Sequence, residues 1–312
     1  LFPDRGARRP AVQPDGGQPV HHPRHAVAAD PRLSAHPGDI DVMTVYAEVI
    51  GDPIAQSKSP LIHGFWLAQL GIAAEYRRAH VKPEELAGYF ESRRADPDWR
   101  GCNITLPHKQ AALEFVEDRG GIRQSIGAIN TVVRAEDGAL VGTNTDAGGF
   151  YAPIAGLDLD GKHAVVIGAG GAARAILFAL SKVGIGRVTL LNRNVLKGAA
   201  LLSGFGIKGE ALPLAAKLPP AALLVNASPL GMVGQPPLAI DLSPLPEDAV
   251  VYDAVYAPLE TGLLAQARDR ELDTVDGLEM LVGQAALAFE LFFGAEPPRD
   301  RDMELRELLL TS

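Results

Sequence analysis

Residues Ala164-Val165-Val166-Ile167 run directly into Gly168-Ala169-Gly170-Gly171-Ala172-Ala173-Arg174, and a helical pattern continues through Leu180. A short apolar strand, a tight glycine turn and a helix form the opening of a dinucleotide-binding βαβ unit. Gly168 permits the turn, and Gly170 lets a pyrophosphate approach the backbone. The small Ala173 stands where a third glycine lets helix meet strand. Free N–H groups and the dipole at the helix start then attract phosphates. Many βα turns use glycine for backbone reasons alone, but the strand and helix on either side favour the cofactor reading. Gly168, Ala169, Gly170, Gly171 and Ala172 are therefore candidate cofactor contacts.

The end of the next strand separates NAD from NADP, because an acid there binds the ribose 2′-hydroxyl and a cation accommodates a 2′-phosphate. The chain reads Leu190-Leu191-Asn192-Arg193-Asn194 with Lys197 beyond, so it offers two cations and no acid. The alternative is that Arg193 and Lys197 form an ordinary solvated face; their position relative to Gly168 favours NADP.

The rest of the chain repeats the strand–helix alternation. Before the glycine turn, strands are expected at Val45–Ile50, Glu75–His80, Gly101–Leu106, Ile126–Val133 and Leu140–Thr143. Helices are expected at Pro60–Leu70, Pro83–Arg93 and Pro107–Val116, with Asp146–Ile154 as a linking helix. After it come strands His163–Ile167, Arg187–Leu191, Ala222–Asn226, Val250–Asp253 and a short one near Asp273–Val275, then helices Leu278–Phe293 and Met303–Leu310. This pattern predicts an α/β protein of two domains: an N-terminal, mostly parallel α/β substrate domain and a C-terminal Rossmann NADP-binding domain. The expected division is 43–144 plus 278–312 for the first and 145–277 for the second, with a cleft that closes on its ligands. Residues 1–42 hold seven of the 24 prolines and half of the eight histidines, with no periodic apolar segment. They are expected to be a disordered extension, with Met43 as the true start. His21, His22 and His25 lack carboxylate or cysteine partners at ligand spacing, so no metal site is expected.

Composition narrows the class further. A chain of 312 residues has room for two domains, and no apolar run approaches the ~20 residues that span a bilayer. A net charge of -9 argues against a nucleic-acid surface. The N-terminus lacks the apolar core of a secretory signal, and the single cysteine, Cys102, excludes an internal disulfide and suits a reducing cytoplasm. A monomer and a homodimer are both compatible.

Reducing a ketone by hydride needs a proton donor and a grip on the substrate. Gln56-Ser57-Lys58-Ser59-Pro60 places two hydroxyls ahead of a helix start, which suits a carboxylate; the alternative is that Ser59 only caps that helix. Asn103-Ile104-Thr105-Leu106-Pro107-His108-Lys109 ends in a lysine expected in a first helical turn, where the helix dipole disfavours a cation, so a purpose beyond folding is indicated. Ala128-Ile129-Asn130-Thr131 and Gly142-Thr143-Asn144-Thr145-Asp146 add amides and hydroxyls at strand ends, where crevices form in open α/β sheets.

These segments, with Asn226-Ala227-Ser228-Pro229-Leu230-Gly231-Met232, Asp253-Ala254-Val255-Tyr256-Ala257-Pro258 and Gly277-Leu278-Glu279-Met280-Leu281-Val282-Gly283-Gln284-Ala285, closely resemble the shikimate dehydrogenase family. The likeness runs in order from Met43 to Gly294. It implies NADPH-dependent, reversible reduction of 3-dehydroshikimate to shikimate in the shikimate pathway of aromatic amino-acid biosynthesis. By the same resemblance, Lys109 and Asp146 are the catalytic pair. Ser57, Ser59 and Tyr256 hold the carboxylate, and Thr105, Asn130 and Gln284 bond the ring substituents. Ala169, Gly170 and Gly171 meet the pyrophosphate, Asn192, Arg193 and Lys197 the adenosine end, and Met232 and Gly277 the nicotinamide side.

Two departures from the family pattern stand out. Asn194 replaces a usual Thr and Lys197 a usual Arg; Lys lacks the bidentate fork, which leaves NAD as an alternative cofactor. Glu279 stands where glycine is frequent. The rival readings are a quinate/shikimate dehydrogenase of relaxed specificity and a non-catalytic nicotinamide sensor, the latter disfavoured by the presence of both Lys109 and Asp146.

Overall fold

The computed structural model describes residues 44–311; the expectations for residues 1–42, for Met43 and for His21, His22 and His25 lie outside the described residues. In chain order the elements are β1 (Val45–Gly51), α1 (Ser59–Leu70), β2 (Ala74–His80), α2 (Leu86–Ala95), β3 (Trp99–Ile104), α3 (Ile122–Ser125), β4 (Thr131–Arg134), β5 (Leu140–Thr143), α4 (Asp146–Tyr151), β6 (His163–Ile167) and α5 (Gly171–Lys182). There follow β7 (Arg187–Leu191), α6 (Val195–Gly204), β8 (Gly209–Leu212), β9 (Leu223–Asn226), β10 (Val250–Asp253), α7 (Gly262–Asp269), β11 (Asp273–Val275), α8 (Gly277–Phe293) and α9 (Asp302–Thr311).

Two sheets result. The first has the order β2-β1-β3-β4-β5. It is mostly parallel as expected, with β4 running against both β3 and β5. The second has the order β11-β10-β9-β6-β7-β8 with every pairing parallel. Its strand order reverses between β6 and β9, the position where a doubly wound sheet opens a crevice at its carboxyl edge. The second sheet is covered on two faces, which is why its central strands β6, β7, β9 and β10 are almost wholly buried. Trp66, Phe289, Phe292 and Phe293 fill one face of the first sheet and Phe90, Trp99 and Val132 the other. Ile176, Leu177 and Leu180 of α5 pack on one face of the second sheet, and Leu263 and Leu264 of α7 on the other.

Helix α8 joins the two halves. Met280 packs with the core of the second sheet and Phe289 with that of the first. It starts on Asp276, whose Oδ1 accepts from Leu278 N at 3.0 Å, and ends at Gly294 in the left-handed region. It also crosses α4 with almost no clearance: a Cβ on Gly149 would lie 2.6 Å from Gln284 N and 2.8 Å from Met280 O. Gly283 faces the same crossing, its added Cβ 3.1 Å from Gly149 Cα. Two bare backbones therefore let the helix carrying Gln284 sit directly against the one that begins with Asp146.

Several elements differ from expectation. Pro107–Val116 is not an α-helix; residues 107–110 form turns and only Ala111–Phe115 winds, as a 3₁₀ segment. The third strand runs Trp99–Ile104, earlier than Gly101–Leu106, and the Ile126–Val133 strand shrinks to Thr131–Arg134. Strand β8 and helices α3, α6 and α7 were not anticipated. No described helix is long and apolar enough to cross a membrane.

Candidate active site

Strands β1, β3 and β5 end at one edge of the first sheet, where the antiparallel β4 begins just after Asn130. Thr105 N donates to Ile50 O at 2.9 Å, and Asp52 N to Leu106 O at 3.0 Å, so the segments after β1 and β3 leave side by side. Residues Ser57 and Ser59 follow β1 and are both buried. Helix α1 is capped at Lys58 with no side-chain cap bond, so Ser59 does not serve merely as a cap. Its hydroxyl lies in the first turn, beside the Ser57 Oγ that accepts from Ser59 N at 3.4 Å.

Arg78, on β2, braces this loop. Its Nε and one terminal nitrogen donate to Ser57 O at 3.0 and 2.6 Å. Burial pushes the Tyr256 phenol upward while the Arg78 charge acts against that push, which puts Tyr256 within the field of the same guanidinium. Arg78 was missed in the sequence, where it reads as one more cation in Arg77-Arg78.

The second group converges on Asp146. Lys109 Nζ forms an ion pair with Asp146 Oδ2, both side chains largely buried. Asn130 Nδ2 donates to Asp146 Oδ1 at 2.9 Å, to Thr145 Oγ1 at 2.8 Å and to Gln284 Oε1 at 3.2 Å. Thr145 N in turn donates to Asn130 Oδ1 at 2.7 Å, which fixes the orientation of that amide. Beneath them, Tyr76 OH donates to Asn103 Oδ1 at 2.6 Å and Asn103 Nδ2 to Thr131 Oγ1 at 3.0 Å. A buried polar network satisfied on so many sides holds its members in one arrangement. Lys109, Asn130, Asp146 and Gln284, distant in sequence, are thus brought together. Thr105 follows β3 directly, one residue after Ile104, whose N–H donates to Asn130 O at 2.7 Å.

Lys109 also lies against the glycine turn. A Cβ on Gly171 would fall 3.0 Å from Lys109 Cδ and 3.2 Å from Lys109 Cβ, so the lysine stem crosses the first residue of α5. Gly168 takes φ 108, a conformation that favours glycine, and its N–H donates to Leu191 O at 2.8 Å. An added Cβ there would meet the Ala227 carbonyl at 3.0 Å, so the turn sits in the crevice between β6 and β9. No side chain caps α5, and a Cβ on Gly170 would meet nothing within 4 Å, which leaves the helix N-terminus open to an anion. Ala169 is buried beneath the turn and Ala172 half-exposed on the first turn of α5. The residues present fit a dinucleotide pyrophosphate.

Asn192 and exposed Arg193 leave the end of β7 beside this turn, and Asn194 Oδ1 caps α6 by accepting from Lys197 N at 3.0 Å. Asn194 thus does the capping work open to the threonine usual at this position. Gly277 is required by packing: an added Cβ would lie 2.4 Å from Val255 O. Met232 is half-buried in the loop after β9. Glu279 has a partner after all, since Arg306 of α9 reaches its carboxylate at 3.4 Å and also pairs with Asp276. An acid in the first turn of α8 also suits the helix dipole.

The model of the shikimate dehydrogenase substrate binding domain matches residues 49–132, and that of the shikimate 5'-dehydrogenase C-terminal domain matches residues 277–305. A shikimate dehydrogenase (NADP(+)) of Sphingopyxis alaskensis is 66% identical over 265 residues, covering 85% of this chain and 97% of its own. The chain belongs to the shikimate dehydrogenase family. Among solved structures, the shikimate 5-dehydrogenase of Thermus thermophilus, in complex with NADP(H) and shikimate, is 38% identical with a TM-score of 0.74, covering 86% of this chain and 100% of that one. The ligand-free 5-ketofructose reductase of a Gluconobacter species is 29% identical with a TM-score of 0.77, covering 85% and 99%. Shikimate dehydrogenases therefore share this two-sheet fold with an enzyme named for another ketone, and substrate choice must come from side chains rather than architecture.

Proposed function

We propose that this chain is a shikimate dehydrogenase that reduces 3-dehydroshikimate to shikimate reversibly with NADPH, a step of aromatic amino-acid biosynthesis. The observation that carries the reading is the Lys109–Asp146 pair lying across the first residue of the open glycine-turn helix. Residues 43–144 with 278–312 form the substrate domain in this reading and 145–277 the nucleotide domain, joined through α4 and α8. When bound, NADPH supplies the hydride.

The chain's own groups do the rest. The Lys109 ammonium donates a proton to the carbonyl oxygen as it becomes a hydroxyl, and recovers one from solvent after the product leaves. Asp146 aims the lysine through one oxygen and is itself fixed by Asn130 through the other. Positioned proton transfer of this kind contributes about 10² to 10⁴ in rate. Asn130, Gln284 and Thr105 bond the ring hydroxyls, while Ser57, Ser59 and Tyr256 take the carboxylate, with Arg78 bracing the loop of the two serines. Ala169, Gly170 and Gly171 receive the pyrophosphate, with Gly168 shaping the turn and Ala172 flanking it. Asn192, Arg193 and Lys197 receive the adenosine end, and Met232 and Gly277 border the nicotinamide. NADP is preferred because the strand end after β7 carries cations and no acid. Each of these groups comes from one chain, so a monomer or a homodimer serves equally, and a cytoplasmic setting suits the buried thiol of Cys102.

The deciding experiment follows absorbance as shikimate or quinate is oxidised with NADP or NAD. Shikimate with NADP is expected to give the highest kcat/KM. Equal rates on quinate, or a preference for NAD, would replace the proposal with the relaxed quinate/shikimate reading. No turnover with any pair would favour the sensor.

A further inference from the structure

Asn226 and Asp253 end adjacent parallel strands, β9 and β10, directly opposite each other in register. Both are fully buried. Asn226 Nδ2 donates to Asp253 Oδ1 at 2.9 Å and to Leu230 O at 3.0 Å. Asn226 Oδ1 accepts from Ser228 Oγ at 2.7 Å and from Ser228 N at 3.1 Å. This side of the network shapes the loop that carries Met232. On the other side, Asp253 Oδ1 accepts from Val255 N at 3.0 Å, and Asp253 Oδ2 accepts from Thr261 Oγ1 at 2.6 Å. Thr261 also caps α7, its Oγ1 accepting from Leu264 N at 3.3 Å. These bonds pin both ends of the segment that carries Tyr256. The two loops touch once more through their backbones, Val233 N donating to Ala257 O at 2.8 Å.

We infer that Asp253 is a positioning residue for both ligands: one buried carboxylate sets the loop bearing Met232 on the nicotinamide side and the loop bearing Tyr256 on the substrate side. The inference rests on the proposed roles of Met232 and Tyr256 and goes beyond them. A carboxylate at this depth is costly unless every lone pair is used. Burial pushes the Asp253 carboxyl upward, and the bonds from Thr261, Val255 and Asn226 oppose that push. A purely structural role would need only an apolar filler between β9 and β10. Instead Asp253 accepts directly from Val255 and Thr261, which flank Tyr256, and reaches the Met232 loop through Asn226, whose amide bonds Leu230 O and Ser228.

The test is steady-state kinetics of the full chain carrying Asp253→Asn, Thr261→Val or Thr261→Ser, with Met232→Ala and Tyr256→Phe as references. Asp253→Asn presents a donor where Thr261 Oγ1 or Asn226 Nδ2 needs an acceptor. It is expected to raise KM for NADP and for shikimate together by about tenfold, the equivalent of one hydrogen bond to a charged group, with kcat changed far less. Thr261→Val is expected to move both constants in the same direction by a smaller factor, and Thr261→Ser, which keeps the hydroxyl, to restore them. Thr261→Val removes the bond to Asp253 and the cap of α7 but leaves the carboxylate in place, so it decides the matter if Asp253→Asn does not fold. The inference is overturned if folded Asp253→Asn or Thr261→Val loses thermal stability with both KM values unchanged, or if only one KM moves. The references report separately: KM values untouched by Tyr256→Phe and Met232→Ala would refute the roles given to those side chains, whatever Asp253 does.

Discussion

His63 makes the acid stability of this protein predictable. The ring lies fully buried in α1, stacked on Tyr76 at 3.9 Å between centroids and 3° between planes, with Trp66 and Phe289 around it. Neither ring nitrogen has a hydrogen-bond partner among the described residues. Burial alone pushes its pKa from 6.5 down to about 3. Above pH 6.5 the imidazole is neutral whether the chain is folded or not, and the native state keeps its full margin. Below 6.5 the unfolded chain binds a proton that the folded chain refuses, so stability falls as pH drops, and it goes on falling until about pH 3. The slope is about 1.4 kcal/mol per pH unit. Between pH 6.5 and 4.5 this one residue therefore removes about 2 kcal/mol, a substantial part of the 5–15 kcal/mol typical of a folded protein. His63→Phe keeps the stacked ring and deletes both unpartnered nitrogens. At pH 7 it should be neutral or slightly stabilising; at pH 4.5 it should exceed the parent by an additional 2–3 kcal/mol or so. Urea unfolding at four pH values, with m held common, measures the difference, and every other titrating group cancels between the two proteins. Curves that stay parallel from pH 7 to 4.5 would show that His63 is protonated in the native state and that the burial argument is wrong.

Three further outcomes follow from the site. Lys109→Ala should lower kcat by about 10² to 10⁴ with KM for shikimate nearly unchanged; a steep rise in KM at constant kcat would make Lys109 a binding residue. Gly149→Ala pushes a methyl into the backbone of α8, 2.6 Å from Gln284 N. It should cost about 1–3 kcal/mol in urea unfolding and raise KM for shikimate as Gln284 is displaced. Arg193→Ala should raise KM for NADP by about tenfold while leaving KM for NAD almost unchanged, as expected of a contact to the 2′-phosphate alone; equal effects on both cofactors would remove Arg193 from that contact.

The second sheet was legible because its central strands are buried on both faces and its first turn needs glycine. What escaped notice had weak local signals. Strand β8, Gly-Glu-Ala-Leu, is an exposed edge paired only with β7, so neither apolar alternation nor continuous burial marks it. Helix α6 buries only Gly198, Leu201 and Leu202, too few to set a period, and carries glycine in its interior. The Asn226–Asp253 network was invisible for a different reason. Each residue precedes a loop, where Asn and Asp are ordinary turn formers, and only strand pairing across 27 positions brings them face to face.

Lys109 shows how the right residue can be chosen on a premise that the fold does not uphold. A lysine in the first turn of a helix invites a functional explanation because the dipole opposes it. Yet Lys109 lies in a turn, and the short 3₁₀ segment begins only at Ala111, so no helix dipole of consequence acts on it. What singles it out is steric and tertiary. Its carbonyl accepts from Ile129 N at 2.8 Å, which ties the turn to the segment carrying Asn130. Its stem occupies the space where Gly171 has no Cβ, and its ammonium meets a carboxylate 37 positions away. Gly171 thus belongs to the proton donor's geometry as much as to the cofactor turn. In sequence it reads only as one more glycine of that turn, because the lysine that needs the space comes from the other half of the molecule.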